Sequence, residues 1–231
     1  TTPEHLYTNQ TTPYFRAPHI YAGIAARFMP GRRVVSEEMM TRMEGNAKYS
    51  GDCSDAVLLT TRGGTHYDRT FMEAFIRPGI GLNNWTSRTN YPARGVVPTG
   101  DAEMSMYVQR NYGQKSHHLQ RLVMRTDGFA SVNAPYVGGE MITKPFTFDG
   151  KQLEINFATS AAGSVWIELQ NEDGTPIPGF SRADCDEIVG DEIARVVTWK
   201  GNGDVSAHSG TPVRVCSALK DADLYSLRFN K

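Results

Sequence analysis

The feature that most constrains this chain is the rarity of helical spacing among its apolar residues. One window, SEEMMTRMEG at 36–45, has a helical pattern, with Ser36 placed to cap its start and Gly45 to end it. Elsewhere apolar and polar residues alternate over short runs that stop at turn residues, the punctuation of strands. Alternation buries one face of a segment only if the segment is extended, because successive side chains of a strand point to opposite sides. The chain therefore reads as all-β.

Three hairpins are expected in the first 133 residues. AVLLTTRGGTHYDRTF turns at Gly63-Gly64, RGVVPTGDAEMSMYVQ at Gly100-Asp101, and LQRLVMRTDGFASVN at Asp127-Gly128, a dipeptide favoured in hairpins because glycine reaches positive φ without strain. Between the first two lies FIRPGIGLNNWTSRTNYPARG, a stretch without a periodic core signal. Compact domains rarely carry so long a loop unless it has a task. The texture changes near GGEMITKPFTFDG. From there EMITKPFTF, QLEINFATS, SVWIELQN, ARVVTWK, PVRVCSAL and DLYSLRFN read as six short strands, separated by turns such as SAAG, NEDGTPIPGF and GNGD. Such strands suit a β-sandwich. The expected domains are 1–137 and 138–231.

Bulk properties narrow the function classes. Lys plus Arg total 24 and Asp plus Glu 25, so the basic excess of a nucleic-acid binder is missing. The longest apolar runs have strand length, and no membrane span is expected. The chain begins TTPEHLYTNQ, without Met and without a charged-then-apolar leader, as a processed or excised fragment would. Cys53, Cys185 and Cys216 lie far apart without CxxC spacing, which speaks against zinc and against a disulfide scaffold. A Cys185–Cys216 bridge and three idle buried thiols both stay open.

YFRAPHIYAG at 14–23 and the long C-terminal stretch from DGTPIPGFSRADC to DADLYSLRF suggest a family. FRAPHIYAG resembles the blade-opening signature of five-bladed β-propeller glycosidases of the invertase and arabinanase type, whose usual form is Arg-Asp-Pro. The C-terminal stretch resembles the all-β domain that ends many bacterial proteins with such propeller-like regions. The resemblance implies partial propeller blades followed by a β-sandwich, and a glycoside hydrolase-like activity on a carbohydrate. The chain departs from that pattern. Only about two blades can be placed, Ala17 stands where the carboxylate of Arg-Asp-Pro would be, and Asn90 in TNYPARG stands where related enzymes carry an acid glutamate.

Glycoside hydrolysis needs two carboxyl groups across the scissile bond. Asp55 and Glu103 are the candidates. Asp55 precedes the apolar run AVLLTT and reads either as a carboxylate aimed into a channel or as a turn residue bonding its own backbone. Glu103 alternates with Met104 and Met106, which leaves its face open. Arg16, His19, Trp85 and Asn90 are the expected sugar contacts. Arg16 and His19 flank Pro18 and would donate to sugar oxygens, or else serve as an ion pair and a core histidine. Trp85 and Asn90 combine an aromatic face with a planar amide, the pairing that suits sugar rings, or else Trp85 anchors its loop. Asp68 reads as a further sugar contact or a solvated strand end.

His117 and His118 are adjacent, so on a strand they point apart and make a poor chelate. The acidic run ADCDEIVGDE lacks EF-hand spacing. No metal and no cofactor are expected. GxSxG elbows, phosphate loops and dinucleotide fingerprints are absent from the sequence. The leading expectation is glycosidic-bond hydrolysis. The alternatives are a non-catalytic carbohydrate-binding or assembly module, favoured by Ala17 and Asn90, and an esterase-like hydrolase on an all-β scaffold. Two blades alone would leave strand edges bare, which predicts a homo-oligomer or a missing N-terminal half.

Overall fold

A computed structural model describes residues 5–71 and 73–231. The chain is all-β, with one short α-helix among the described residues. It divides into two compact units, the first ending at Arg125 and the second beginning at Thr126.

Among the described residues the first unit holds seven strands: β1 (His5–Thr8), β2 (Thr12–Tyr14), β3 (Ala17–Met29), β4 (Cys53–Thr61), β5 (Val97–Pro98), β6 (Glu103–Arg110) and β7 (His118–Arg125). β3 is the centre of an antiparallel sheet. β4 runs along one edge of it, while β1 and β2 share the other, end to end. Asn9 and Thr11 sit at the break between them, packed so closely on Gly23 that a Cβ there would come within 2.6 Å of Thr11 Oγ1. Phe15 and Arg16 form the turn from β2 into β3.

The β3–β4 register aligns Ala25 with Val57 and Leu59 with Gly23, and on the same face Arg27 with Asp55 and Met29 with Cys53. Ala25, Val57 and Leu59 are buried together, so one face of this sheet is core at one end and charged at the other. β6 is central in a second sheet, between β5 and β7.

The helix α1 (Glu37–Arg42) begins as expected, with Ser36 Oγ accepting from Met39 N. Its end differs from the expectation. Glu44, not Gly45, takes the left-handed position at φ 55°. Glu44 N donates to Thr41 O and Gly45 N to Met40 O, the paired bonds of a Schellman ending. Gly45 serves closeness instead: a Cβ there would meet Met40 Cε at 2.6 Å.

The second unit holds β8 (Val132–Ala134), β9 (Gly139–Ile142), β10 (Gln152–Asn171), β11 (Asp191–Val196) and β12 (Val213–Asn230). They form one curled sheet in the order β11-β10-β12, with β8 and β9 both on the far edge of β12. The hairpin expected at Asp127-Gly128 is replaced by a crossing. Asp127 does adopt φ 61°, but the strand after it pairs with β12, and β7 instead pairs back onto β6. The unit boundary accordingly falls at Arg125/Thr126, ahead of the composition change near 136–140.

Two further turns are bulges. QLEINFATS and SVWIELQN are one strand, and so are PVRVCSAL and DLYSLRFN. Where the register slips, at Thr159/Ser164 and Asn156/Phe157, the buried face of β12 changes parity: Val213, Val215 and Leu219, then Ala222 and Leu224, then Leu227 and Phe229. An inserted residue flips every side chain beyond it, which restores the apolar side to the core. The three cysteines are free and buried.

Candidate functional site

The charged end of the β3–β4 face opens into a cleft of about 700 Å³. Its floor is laid by strand alternation: Arg27 and Met29 from β3, Cys53 and Asp55 from β4. One wall is the turn after β3, held where Gly31 N donates to Asp52 Oδ1 at 2.8 Å, and it brings in Arg32 and Val34. The other follows the free edge of β4, where Ala56 and Ile76 exchange backbone hydrogen bonds and so deliver Ala74, Arg77, Pro78 and Gly79. Trp85 completes the lining, its indole N–H donating to Gly79 O at 3.0 Å. Thus Trp85 both anchors its loop and faces the cleft.

Arg27 and Asp55 form a two-pronged ion pair, Nε to Oδ1 at 2.8 Å and Nη2 to Oδ2 at 2.7 Å, with side chains 16% and 18% exposed. Both carboxylate oxygens of Asp55 are engaged by one guanidinium. Arg32 and Arg77 are exposed, and among the described residues neither makes an ion pair. Burial pushes the Cys53 thiol up from its ordinary value, more than the neighbouring backbone and Arg32 pull it down. A thiol held protonated is a weak nucleophile.

The structure brings together two of the six expected site residues, Asp55 and Trp85. Glu103 lies on β6, opposite Arg125, and ion-pairs with Arg121 at 2.5 Å; it does not line this cleft. Arg16 is in the β2–β3 turn and His19 is an exposed residue of β3, and neither lines it. Asn90 is fully buried at φ 62°. Its amide donates to Ser54 O at 2.8 Å and Asn84 O at 3.1 Å, and its oxygen accepts from Arg110 Nη1. Asp68 lines a separate concavity with Thr60 and His66, and its Oδ1 accepts from both Thr70 N and Thr70 Oγ1.

The long loop at 75–95 is therefore ordered from within. Thr89 Oγ1 donates to Asn84 O at 2.7 Å, Ser54 Oγ to Thr89 O at 2.5 Å, and Gln114 and Asn83 bond each other twice, at 2.8 and 2.5 Å. Arg27, Arg32 and Arg77 are cleft residues that no local pattern announces. Arg27 faces Asp55 only through the pairing of two strands separated by a helix, and the other two arginines sit in irregular segments, one after β3 and one after Ile76.

In the second unit two smaller concavities of about 380 and 560 Å³ share Trp166 and Arg182. There Arg182 lies 5.5 Å over the Trp166 ring and pairs with Glu140 at 2.9 Å, so its charge is compensated. The acidic run is likewise divided among partners. Asp184 accepts from Ser181 Oγ and pairs with Lys200, while Asp186 accepts from Thr198 Oγ1 and Gly201 N. These bonds draw both carboxyls below the usual range. The chain matches no protein-family model, no curated protein and no solved structure.

Proposed function

We propose that this chain is a carbohydrate-recognition module of glycosidase-like descent, one that holds a saccharide in the Trp85 cleft without cleaving it. The observation that carries the reading is the cleft's inventory among the described residues: an aromatic side chain, three guanidinium groups and a single carboxylate, which Arg27 holds by both oxygens. An aromatic face beside planar donors matches a sugar ring, apolar on its faces and hydroxylated at its rim. Hydrolysis would need a second carboxyl group across the bond, and a free acid or base in the first. Glu103, on another sheet and paired with Arg121, is not positioned in that cleft. The two small antiparallel sheets of the first unit and the curled sheet of the second are compatible with blades followed by a layer of a sandwich.

Calorimetry against a panel of plant and algal oligosaccharides tests the reading, run beside an aryl-glycoside turnover assay. Binding at micromolar to millimolar affinity is expected, weakened at least about tenfold in Trp85→Ala through loss of the stacking face, with no turnover. Turnover abolished by Asp55→Asn would instead establish hydrolysis, and a panel without any binding would end the carbohydrate reading.

A further inference from the structure

We infer that the Trp85 cleft selects saccharides bearing an anionic group, a carboxylate or a sulfate, through Arg32 and Arg77. The inference rests on the carbohydrate reading above and adds to it the charge of the ligand. Among the described residues, three arginines and one aspartate line the cleft. Arg27 and Asp55 neutralise each other in a two-pronged pair. The remaining two guanidinium groups are uncompensated among the described residues, although the chain as a whole carries 24 basic and 25 acidic side chains.

Two other arginines of the first unit have acidic partners. Arg33, next in sequence to Arg32, pairs with Glu37, and Arg121 with Glu103. A planar guanidinium carries paired N–H donors in the spacing of carboxylate or sulfate oxygens. Trp85 supplies the apolar face for the ring that carries the anion. A neutral sugar would leave both guanidinium groups facing only water and hydroxyls. An acidic one would exchange that hydration for charge-assisted bonds inside a concave wall.

The test uses the full chain in calorimetry with matched ligands: an oligogalacturonate and its methyl ester, and a sulfated galactan oligomer and its desulfated form. The anionic member of at least one pair is expected to bind about tenfold more tightly, as two partly exposed charge contacts would give. Which pair shows the gap identifies carboxylate or sulfate as the source of the charge. The gap should shrink in 0.5 M salt and in Arg32→Gln and Arg77→Gln, return in part in Arg77→Lys, and persist in Arg33→Gln, which lies outside the cleft lining.

Both glutamine variants change exposed side chains without ion pairs, so thermal unfolding should be unchanged and a loss of binding is then a loss of contact. Equal affinity within both pairs overturns the charge selection while the carbohydrate reading stands. Failure of all four ligands, together with the neutral panel, overturns both.

Discussion

Asn90 has no exposed surface and yet satisfies three neighbours, donating to Ser54 O and Asn84 O and accepting from Arg110. It also takes φ 62°, a left-handed conformation that asparagine tolerates better than most residues. Arg110 reaches the same knot, donating also to Gln120 Oε1 and Arg77 O, and burial draws its guanidinium down from its ordinary value. Removing the amide strands two carbonyls and a buried cation. Asn90→Ala is expected to lower stability by about 2–4 kcal/mol, measured by chemical denaturation. Asn90→Asp keeps the acceptor for Arg110 but loses both donors, and should fall between the two. A loss below about 0.5 kcal/mol in Asn90→Ala would mean that the loop is held by other contacts. Sequence pattern gives Asn90 the look of a sugar ligand, because an amide beside an aromatic residue suits both tasks. Only its neighbours distinguish them.

At the scale of elements, the bulged pair β10–β12 carries the second unit. Cross-strand partners such as Phe157 with Leu224, Ile155 with Leu227 and Val165 with Leu219 stay on the core side through two register slips. The bend between the halves depends on Gly163. A Cβ there would lie 2.3 Å from Asp221 O and 2.7 Å from Lys220 O, and both are backbone atoms that cannot swing aside. Asp221 itself adopts φ 44°. Gly163→Ala is expected to cost about 1–3 kcal/mol and to lower the melting temperature, whereas Gly174→Ala, at an open turn with φ 90°, tests conformational strain without a clash. If Gly163→Ala melts with the wild type, the close approach is not what fixes the bend. Each half of these strands is legible as a strand. SAAG reads as a turn because small residues interrupt alternation equally at a turn and at a bulge.

At the scale of the whole molecule, β7 is an edge strand. It pairs only with β6 among the described strands, and Leu119 and Val123 on it are 62% and 53% exposed. A long edge with apolar side chains invites another strand. Light scattering on the purified chain is therefore expected to give a mass above the 25.6 kDa of one chain, and Leu119→Lys with Val123→Lys should shift it toward the monomer. A monodisperse wild-type monomer would count against both the edge pairing and the bare-blade reading that predicts it.

The sequence by itself determined the class of structure and much of its local detail. Period-two alternation admits only extended segments, and Ser36 caps a helix through its own side-chain hydroxyl, which accepts from Met39 N. These are short-range properties, set by a residue and its near neighbours. Tertiary structure decided the partner of β8, the continuity of β10 and β12, and the cleft itself. Arg27 meets Asp55 across a register fixed by packing over the length of β3 and β4, while Arg32 arrives on the segment after β3 and Arg77 and Trp85 on the long loop at 75–95. Strand pairing is chosen by the burial of whole faces, a sum over residues far apart in the chain, and no local pattern encodes that sum.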